Sequence, residues 1–335
     1  MLNIAVLGCG RIGQMHARNI ARHPRAQLAS VFDVDAGAAE RLGSALNVKV
    51  AASIDAILAS DAVDAILIAT STSTHADLLE RAVAAGKPVL CEKPIDLSLA
   101  RVKRCADVIR GTKVPIMLGF VRRFDPGHRA ARDAVRSGAI GELHQVVITS
   151  RDPGMPPLAY TEASGGIFRD MTIHDFDMAR FILGEEPVDV SAHGSRLVDP
   201  ALMNRLGDYD TVTVVLRTAS GKQCVINNSR QAVYGYDQRV EALGTLGLAL
   251  SENRKPHEAV VHTRTFTGKA APYLNFFIER YAEAFNAEID EFVSAIEGKR
   301  APEVGFDDGR LALLLAEAAI KSAAEGRVVR LTEME

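Results

Sequence analysis

Up to about residue 120 the chain alternates short, wholly apolar runs with stretches whose apolar positions recur at helical spacing. The runs at 3–7, 28–32, 48–51, 65–69, 88–91 and 114–118 predict strands, and 12–22, 36–46, 75–85 and 99–110 predict helices. Thr74 and Ser98 stand as N-caps, and Gly86 closes one helix. Strands this short and apolar, separated by helices, imply a parallel sheet covered on both faces. After Phe120 the pattern changes. A helix at 126–137 leads to a strand at 145–150. Gly165-Gly166 then introduces a helix at 170–183 that ends at Gly184. Alternating polar and apolar positions follow at 188–195, 211–217, 223–228, 239–243 and 260–265, with Ser220-Gly221 as a hairpin turn, and long helices at 276–297 and 308–325. This half predicts a large, mostly antiparallel sheet with one open face.

The first strand runs directly into Gly8-Cys9-Gly10-Arg11-Ile12-Gly13, and the second ends at Asp33, twenty residues after Gly13. Strand, G-x-G-x-x-G, helix, strand and acid in this order form a dinucleotide-binding unit. Gly8 allows the tight turn, Gly10 lets backbone approach a pyrophosphate, and Gly13 lets helix and strand pack closely. The helix N-terminus offers N–H groups to phosphates. Asp33 would accept hydrogen bonds from ribose hydroxyls and repel a 2′-phosphate, and Val34 beside it brings no positive charge, so NAD is favoured over NADP. The fold class is therefore α/β: an N-terminal Rossmann domain over 1–120 and a C-terminal α+β domain over 121–335 for substrate binding and oligomerisation. In such sheets ligands lie beyond the carboxyl ends of the strands. Thr70 to His75 and Glu92-Lys93-Pro94 lie at those ends beside the glycines and Asp33, so Thr70, His75, Glu92 and Lys93 join Gly8, Gly10, Arg11, Ile12, Gly13 and Asp33 as candidate cofactor residues.

Composition narrows the classes. A length of 335 residues suits two domains, and 47% hydrophobic residues support real cores. A net charge of −3 with no polybasic stretch argues against nucleic acid as a partner. The first strand begins at once and no apolar run is long enough for a membrane span, so the expected location is the cytoplasm. Cys9, Cys91, Cys105 and Cys224 lack any C-x-x-C spacing and fit buried thiols; no metal site is expected.

Two stretches carry candidate chemistry. Asp170, His174 and Asp177 fall at i, i+4 and i+7, on one face of a predicted helix. A histidine beside a carboxylate is a competent general base, although a solvated helix face would look the same. Lys93, held before Pro94 at a strand end, would point a cation at the crevice.

Together these motifs resemble the Gfo/Idh/MocA oxidoreductases, over nearly the whole chain. The stretches 119–125, 173–177 and 234–237 are similar to its inositol 2-dehydrogenase branch. The resemblance implies NAD-dependent oxidation of a ring polyol, most simply myo-inositol to its 2-keto form. His174 would be the general base, Lys93 would stabilise the alkoxide, and Asp170 would bind a neighbouring hydroxyl. It also implies Arg122, Asp152 and Tyr236 as polyol contacts, and a homotetramer packed through the second-domain sheets. Asp152 stands where some inositol dehydrogenases carry asparagine, and Phe124 where some carry tyrosine. Another inositol isomer or glucose is therefore the alternative substrate, and a non-catalytic sugar-sensing regulator is the alternative class.

Overall fold

The computed structural model describes every residue except Glu335. The chain forms two compact units. The first comprises Met1–Val121 with Ala284–Leu313, and the second Arg122–Glu283 with the chain from Leu314 onward. The sequence division at 120 assigned 284–313 to the second domain; in the structure these residues pack with the first.

In the first unit β1 (Leu2–Leu7), α1 (Arg11–Arg22), β2 (Ala26–Phe32), α2 (Ala36–Leu46), β3 (Lys49–Val50), α3 (Ile54–Leu58), β4 (Ala65–Ile68), α4 (His75–Ala84), β5 (Val89–Glu92), α5 (Leu99–Val108) and β6 (Ile116–Gly119) follow in order. The six strands form an all-parallel sheet in the order β3-β2-β1-β4-β5-β6. The order reverses at β1, which creates the switch point where such sheets bind ligands. β4 is buried at every residue, as a strand covered on both faces must be. Residues 284–313 close this core: Leu118 donates its backbone N–H to the Val304 carbonyl, and Gly309 fits against Ile95 and Leu118.

The second unit contains α6 (Pro126–Arg136), β7 (Leu143–Arg151), α7 (Leu158–Ala163), α8 (Ile173–Leu183), β8 (Pro187–Ser195), α9 (Pro200–Leu206), β9 (Thr211–Thr218), β10 (Gln223–Ser229), β11 (Asp237–Gly244) and β12 (Gly247–Ser251). The two-residue strands β13 (Val260–Val261) and β14 (Lys269–Ala270) make a separate hairpin, so the stretch at 260–265 does not join the large sheet. α10 (Phe277–Arg280), α11 (Ala282–Glu297), α12 (Phe306–Glu325) and β15 (Val329–Arg330) complete the chain. The large sheet has seven strands in the order β12-β11-β7-β10-β9-β8-β15, and β7–β10 is its one parallel pairing.

α8 was expected to be amphipathic. It is buried nearly all round, including Asp175 and Asp177, because it packs on β7 and β10 on one side and on α6 on another. Its polar residues are therefore enclosed, and each must find a partner. No helix among the described residues is long and apolar enough to cross a membrane.

Candidate active site

In the first unit the glycine loop follows from steric necessity. Gly8 has φ +97°, and a Cβ there would lie 2.3 Å from the Ala69 carbonyl oxygen. A Cβ on Gly13 would lie 1.9 Å from the Gly8 carbonyl oxygen, so only hydrogen allows α1 to pass this close. At Gly10 the same test meets nothing within 4 Å, which leaves open space over the start of α1. Gly10 is the N-cap of α1 and carries no side chain to satisfy the first N–H groups. Arg11 is exposed and Ile12 half-buried beside it. Open space over uncapped helix N–H groups is a surface on which an anion such as a phosphate can be held.

Asp33 lies at the end of β2. Its Oδ2 accepts the Cys9 backbone N–H at 2.6 Å and its Oδ1 accepts that of Asp35 at 2.9 Å, so the acid also anchors the glycine loop. Burial, reinforced by Asp33 and Asp35, pushes the Cys9 thiol up to about 11, so it is a neutral thiol. All four cysteines are buried and free of disulfides.

Beyond β4, Thr74 does not cap α4. Its hydroxyl donates to the Ser71 carbonyl and shares a 2.7 Å hydrogen bond with Thr70. His75 is buried, with Nδ1 2.8 Å from the Pro94 carbonyl and Nε2 3.0 Å from the Thr70 carbonyl. The ring thus ties the loop after β4 to the turn after β5. That turn is Glu92-Lys93-Pro94, with both Glu92 and Lys93 half-buried.

In the second unit a π-helical turn, Phe168–Thr172, precedes α8 and holds Asp170, while His174 sits half-buried in the first turn of α8. The widened turn breaks the regular i, i+4, i+7 face read from the sequence. Asp170 accepts the Tyr160 hydroxyl at 2.6 Å and Arg230 Nη1 at 3.2 Å. Asp177 is in different company: it is 1% exposed and takes Arg123 Nε at 2.8 Å, so it serves a buried ion pair and not the site.

Asp175 is the hub of a second network. It accepts Arg122 Nη1 at 2.6 Å, the Ser150 hydroxyl at 2.6 Å and Asn228 Nδ2 at 2.8 Å. Thr172 donates to Asn228 Oδ1 at 2.7 Å. Burial still holds the Asp175 carboxyl above its ordinary range, with Arg122 and the other donors opposing it. Asp152, half-buried, is pushed up to about 6 by burial and by Asp170 and Asp175, against the pull of Arg230 and Arg122. Tyr236 is buried, which raises its phenol well above the usual value despite Arg122 nearby, so it remains a hydroxyl. The second unit thus gathers Arg122, Asp152, Asp170 and Tyr236 into one electrostatic neighbourhood with His174 in the adjoining turn. Tyr160, Arg230 and Asp175 belong to it as well, and the sequence reading had given them no role. Arg230 reaches Asp170 from sixty residues away, a pairing that no local pattern announces.

The parallel sheet with its open, uncapped phosphate cradle, joined to a second unit rich in buried acids and hydroxyls, defines a nicotinamide-nucleotide oxidoreductase of the two-domain type. Residues 2–120 match the oxidoreductase family with an NAD-binding Rossmann fold, and 128–250 match the GFO/IDH/MocA C-terminal domain. The chain belongs to the Gfo/Idh/MocA oxidoreductase family. It is 49% identical to an inositol 2-dehydrogenase of Rhizobium meliloti over 98% of both chains. A myo-inositol dehydrogenase structure from Corynebacterium glutamicum superposes with TM-score 0.95 at 44% identity, covering 99% of each chain. A scyllo-inositol dehydrogenase from Lactobacillus casei, solved with NAD(H) and scyllo-inositol, does so with TM-score 0.90 at 28% identity, again covering 99% of each chain.

Proposed function

We propose that this protein oxidises a secondary hydroxyl of a ring polyol to a ketone with NAD, and that the polyol is myo-inositol, giving the 2-keto product. The observation that carries the polyol class is the second-unit neighbourhood of Asp152, Asp170, Arg230, Tyr160 and Tyr236. Carboxylate acceptors lie together there with guanidinium and phenol donors, the two kinds of group that neighbouring hydroxyls can bond. The similarity to inositol 2-dehydrogenase over the full chain supports inositol among the polyols.

In this reading the bound nucleotide supplies the acceptor for the hydride that leaves the carbinol carbon. His174 takes the hydroxyl proton, and Lys93 donates a hydrogen bond to the same oxygen as negative charge builds on it. Asp170, held by Tyr160 and Arg230, binds an adjacent hydroxyl and fixes the ring orientation. Gly8, Gly10, Gly13 and the start of α1 hold the pyrophosphate, with Arg11 and Ile12 flanking it. Asp33 reads the ribose, and Thr70, Glu92 and Lys93 line the nicotinamide side. His75 supports that side by tying its two loops together.

The test is NADH formation with myo-inositol, scyllo-inositol, chiro-inositol and glucose, each as sole substrate. Preference for myo-inositol is expected. A faster rate with another polyol would keep the chemistry and replace the substrate, and tight NAD binding without turnover of any would favour a sensor. Asp33→Ala is expected to weaken NAD by about tenfold, as losing a charge-assisted hydrogen bond does, and to narrow the preference over NADP. Titration of both nucleotides checks this, and an unchanged ratio would remove Asp33 as the ribose reader.

The open face of the large sheet supports self-association. Val215, Val225 and Val147 lie in register across β9, β10 and β7; Glu241 follows on β11, and the exposed Leu243 on β11 with Leu248 and Leu250 on β12 forms a second apolar patch. A homotetramer through this face is the assembly proposed, and a monomer mass in sedimentation velocity would exclude it. Buried, neutral thiols fit the reducing cytoplasm proposed as its location.

A further inference from the structure

At the Glu92-Lys93-Pro94 turn, the first unit encloses a polar cluster of which the dehydrogenase reading uses Glu92 alone. Glu288, on α11, is 0% exposed, and no hydrogen-bond donor among the described residues reaches either of its carboxyl oxygens. His16, on α1, is 1% exposed, and its Nε2 lies 2.7 Å from Glu92 Oε1. One ligand atom from each of His16, Glu92 and Glu288 lies within 4.8 Å of the other two. The pocket is shaped for these groups. Phe285, one turn before Glu288, sets its edge against the His16 ring at 5.6 Å, and a Cβ on Gly119 would lie 2.8 Å from Glu92 Oε2.

Two occupants could neutralise so enclosed a pair of acids: a divalent cation or a proton. Two ligand atoms on one tetrahedral cation, with bonds of about 2.0–2.1 Å, sit about 3.3 Å apart. His16 Nε2 and Glu92 Oε1 are closer than that, at hydrogen-bond distance. A hydrogen bond with Nε2–H as donor and Glu92 as acceptor fits this distance and leaves Nδ1, which meets no partner among the described residues, as the bare nitrogen. Glu92 is then the ionised member, and an ionised Glu288 beside it would put two like charges in a space without water. A proton on Glu288 removes that conflict and offers Glu92, whose nearest carboxyl oxygen lies within 4.8 Å, a second donor.

We infer that Glu288 is a buried carboxylic acid whose O–H is given to the Glu92 carboxylate, and that this shared proton positions the Glu92–Pro94 turn and the backbone of Lys93. The first half stands on geometry alone; the second rests on the dehydrogenase reading. Glu288 is a positioning residue acting through Glu92. Burial, and then the charge of Glu92, hold its carboxyl well above the ordinary glutamate range. The titratable groups facing it are Glu92 from β5 and His16 from α1, while Phe285 and Gly119 bring no charge.

The sign of the pH effect follows. The folded protein keeps a proton that the unfolded chain loses above the usual glutamate pKa. Stability from this group is therefore complete at low pH and is lost as pH rises toward the folded value. Relative to E288Q, which cannot ionise, the wild type should lose up to about tenfold in its folding constant per pH unit over that window. The infrared spectrum of the wild type should contain a carboxylic-acid C=O band at neutral pH that E288Q lacks. E288Q should keep kcat within about twofold because its amide still donates to Glu92. E288L, of similar volume and without a donor, should lose about tenfold in kcat with little change in the KM for NAD.

Absence of that band, or parallel stability curves for wild type and E288Q, would overturn the shared proton. Stoichiometric zinc or manganese in the wild type, lost in E288Q, would replace it with a cation centre. E288L with full kcat would overturn the positioning role. If no polyol is turned over at all, the dehydrogenase reading fails by itself, and the infrared and stability measurements still decide the proton.

Discussion

Replacing His174 by alanine is expected to lower kcat by about 10²–10⁴-fold, the usual contribution of a positioned general base. His174 is half-buried at the first turn of α8, and the residues that enclose that helix are its apolar neighbours and the Asp175 and Asp177 pairs. Loss of the imidazole therefore leaves the fold intact. NAD affinity should not change, because the phosphate cradle and Asp33 belong to the first unit and are built from β1, α1 and β2. The KM for the polyol should rise far less than kcat falls, because proton removal belongs to the transition state and not to ground-state binding. Added imidazole should restore part of the rate. Steady-state kinetics with and without imidazole, alongside NAD titration, make the measurement. Turnover at the wild-type rate would end the assignment of His174 as the base.

Replacing Asp175 by alanine should do damage of another kind. The carboxylate is fully buried and takes three donors, and its loss leaves the Arg122 guanidinium, itself 6% exposed, without its counter-charge. Breaking one side of a buried pair costs about 3–5 kcal/mol, because the remaining charge stays desolvated. For a protein of this size that lowers Tm by on the order of 10 °C. Ser150 and Asn228 lose the same acceptor, and Asn228 is also the acceptor for Thr172 in the turn below His174. The variant should therefore combine a lower Tm with a higher KM for the polyol. Asp175→Asn, which keeps the shape and loses the charge, should fall between. Thermal melts of the three proteins check the order, and an unchanged Tm in the alanine variant would show that Arg122 finds another partner.

Within residues 1–121 of the first unit most elements, α3 excepted, were legible in the sequence because their signals are local. Except for β3, an exposed Lys49-Val50 pair, the strands there are short, largely apolar runs, and the glycines and Asp33 sit at spacings fixed by one strand–helix–strand unit. The misses are those in which distant residues decide. The π-turn at Phe168–Thr172 gives no distinct periodicity, so Asp170, His174 and Asp177 looked like one stripe although Asp177 is claimed by Arg123. The return of 284–313 to the first core is not written in those helices, whose apolar faces would suit either unit. The parallel pairing of β7 with β10 needs the whole sheet to be known. The roles of Arg230 and Asp175 arise from partners that α8 and the sheet bring together.

Asp33, the proposed ribose reader, also anchors the glycine loop, and this bears on redesign of cofactor preference. The obvious route toward NADP removes the acid and adds a basic residue at Val34, which is 94% exposed and free to change. Taking away Asp33 also removes the acceptor for the Cys9 backbone N–H, so the glycine loop loosens under either nucleotide. An engineer should therefore install serine or asparagine at 33, keeping a short acceptor for that N–H, before adding arginine at 34. Swapping the charge alone would trade selectivity for a poorer grip on both coenzymes.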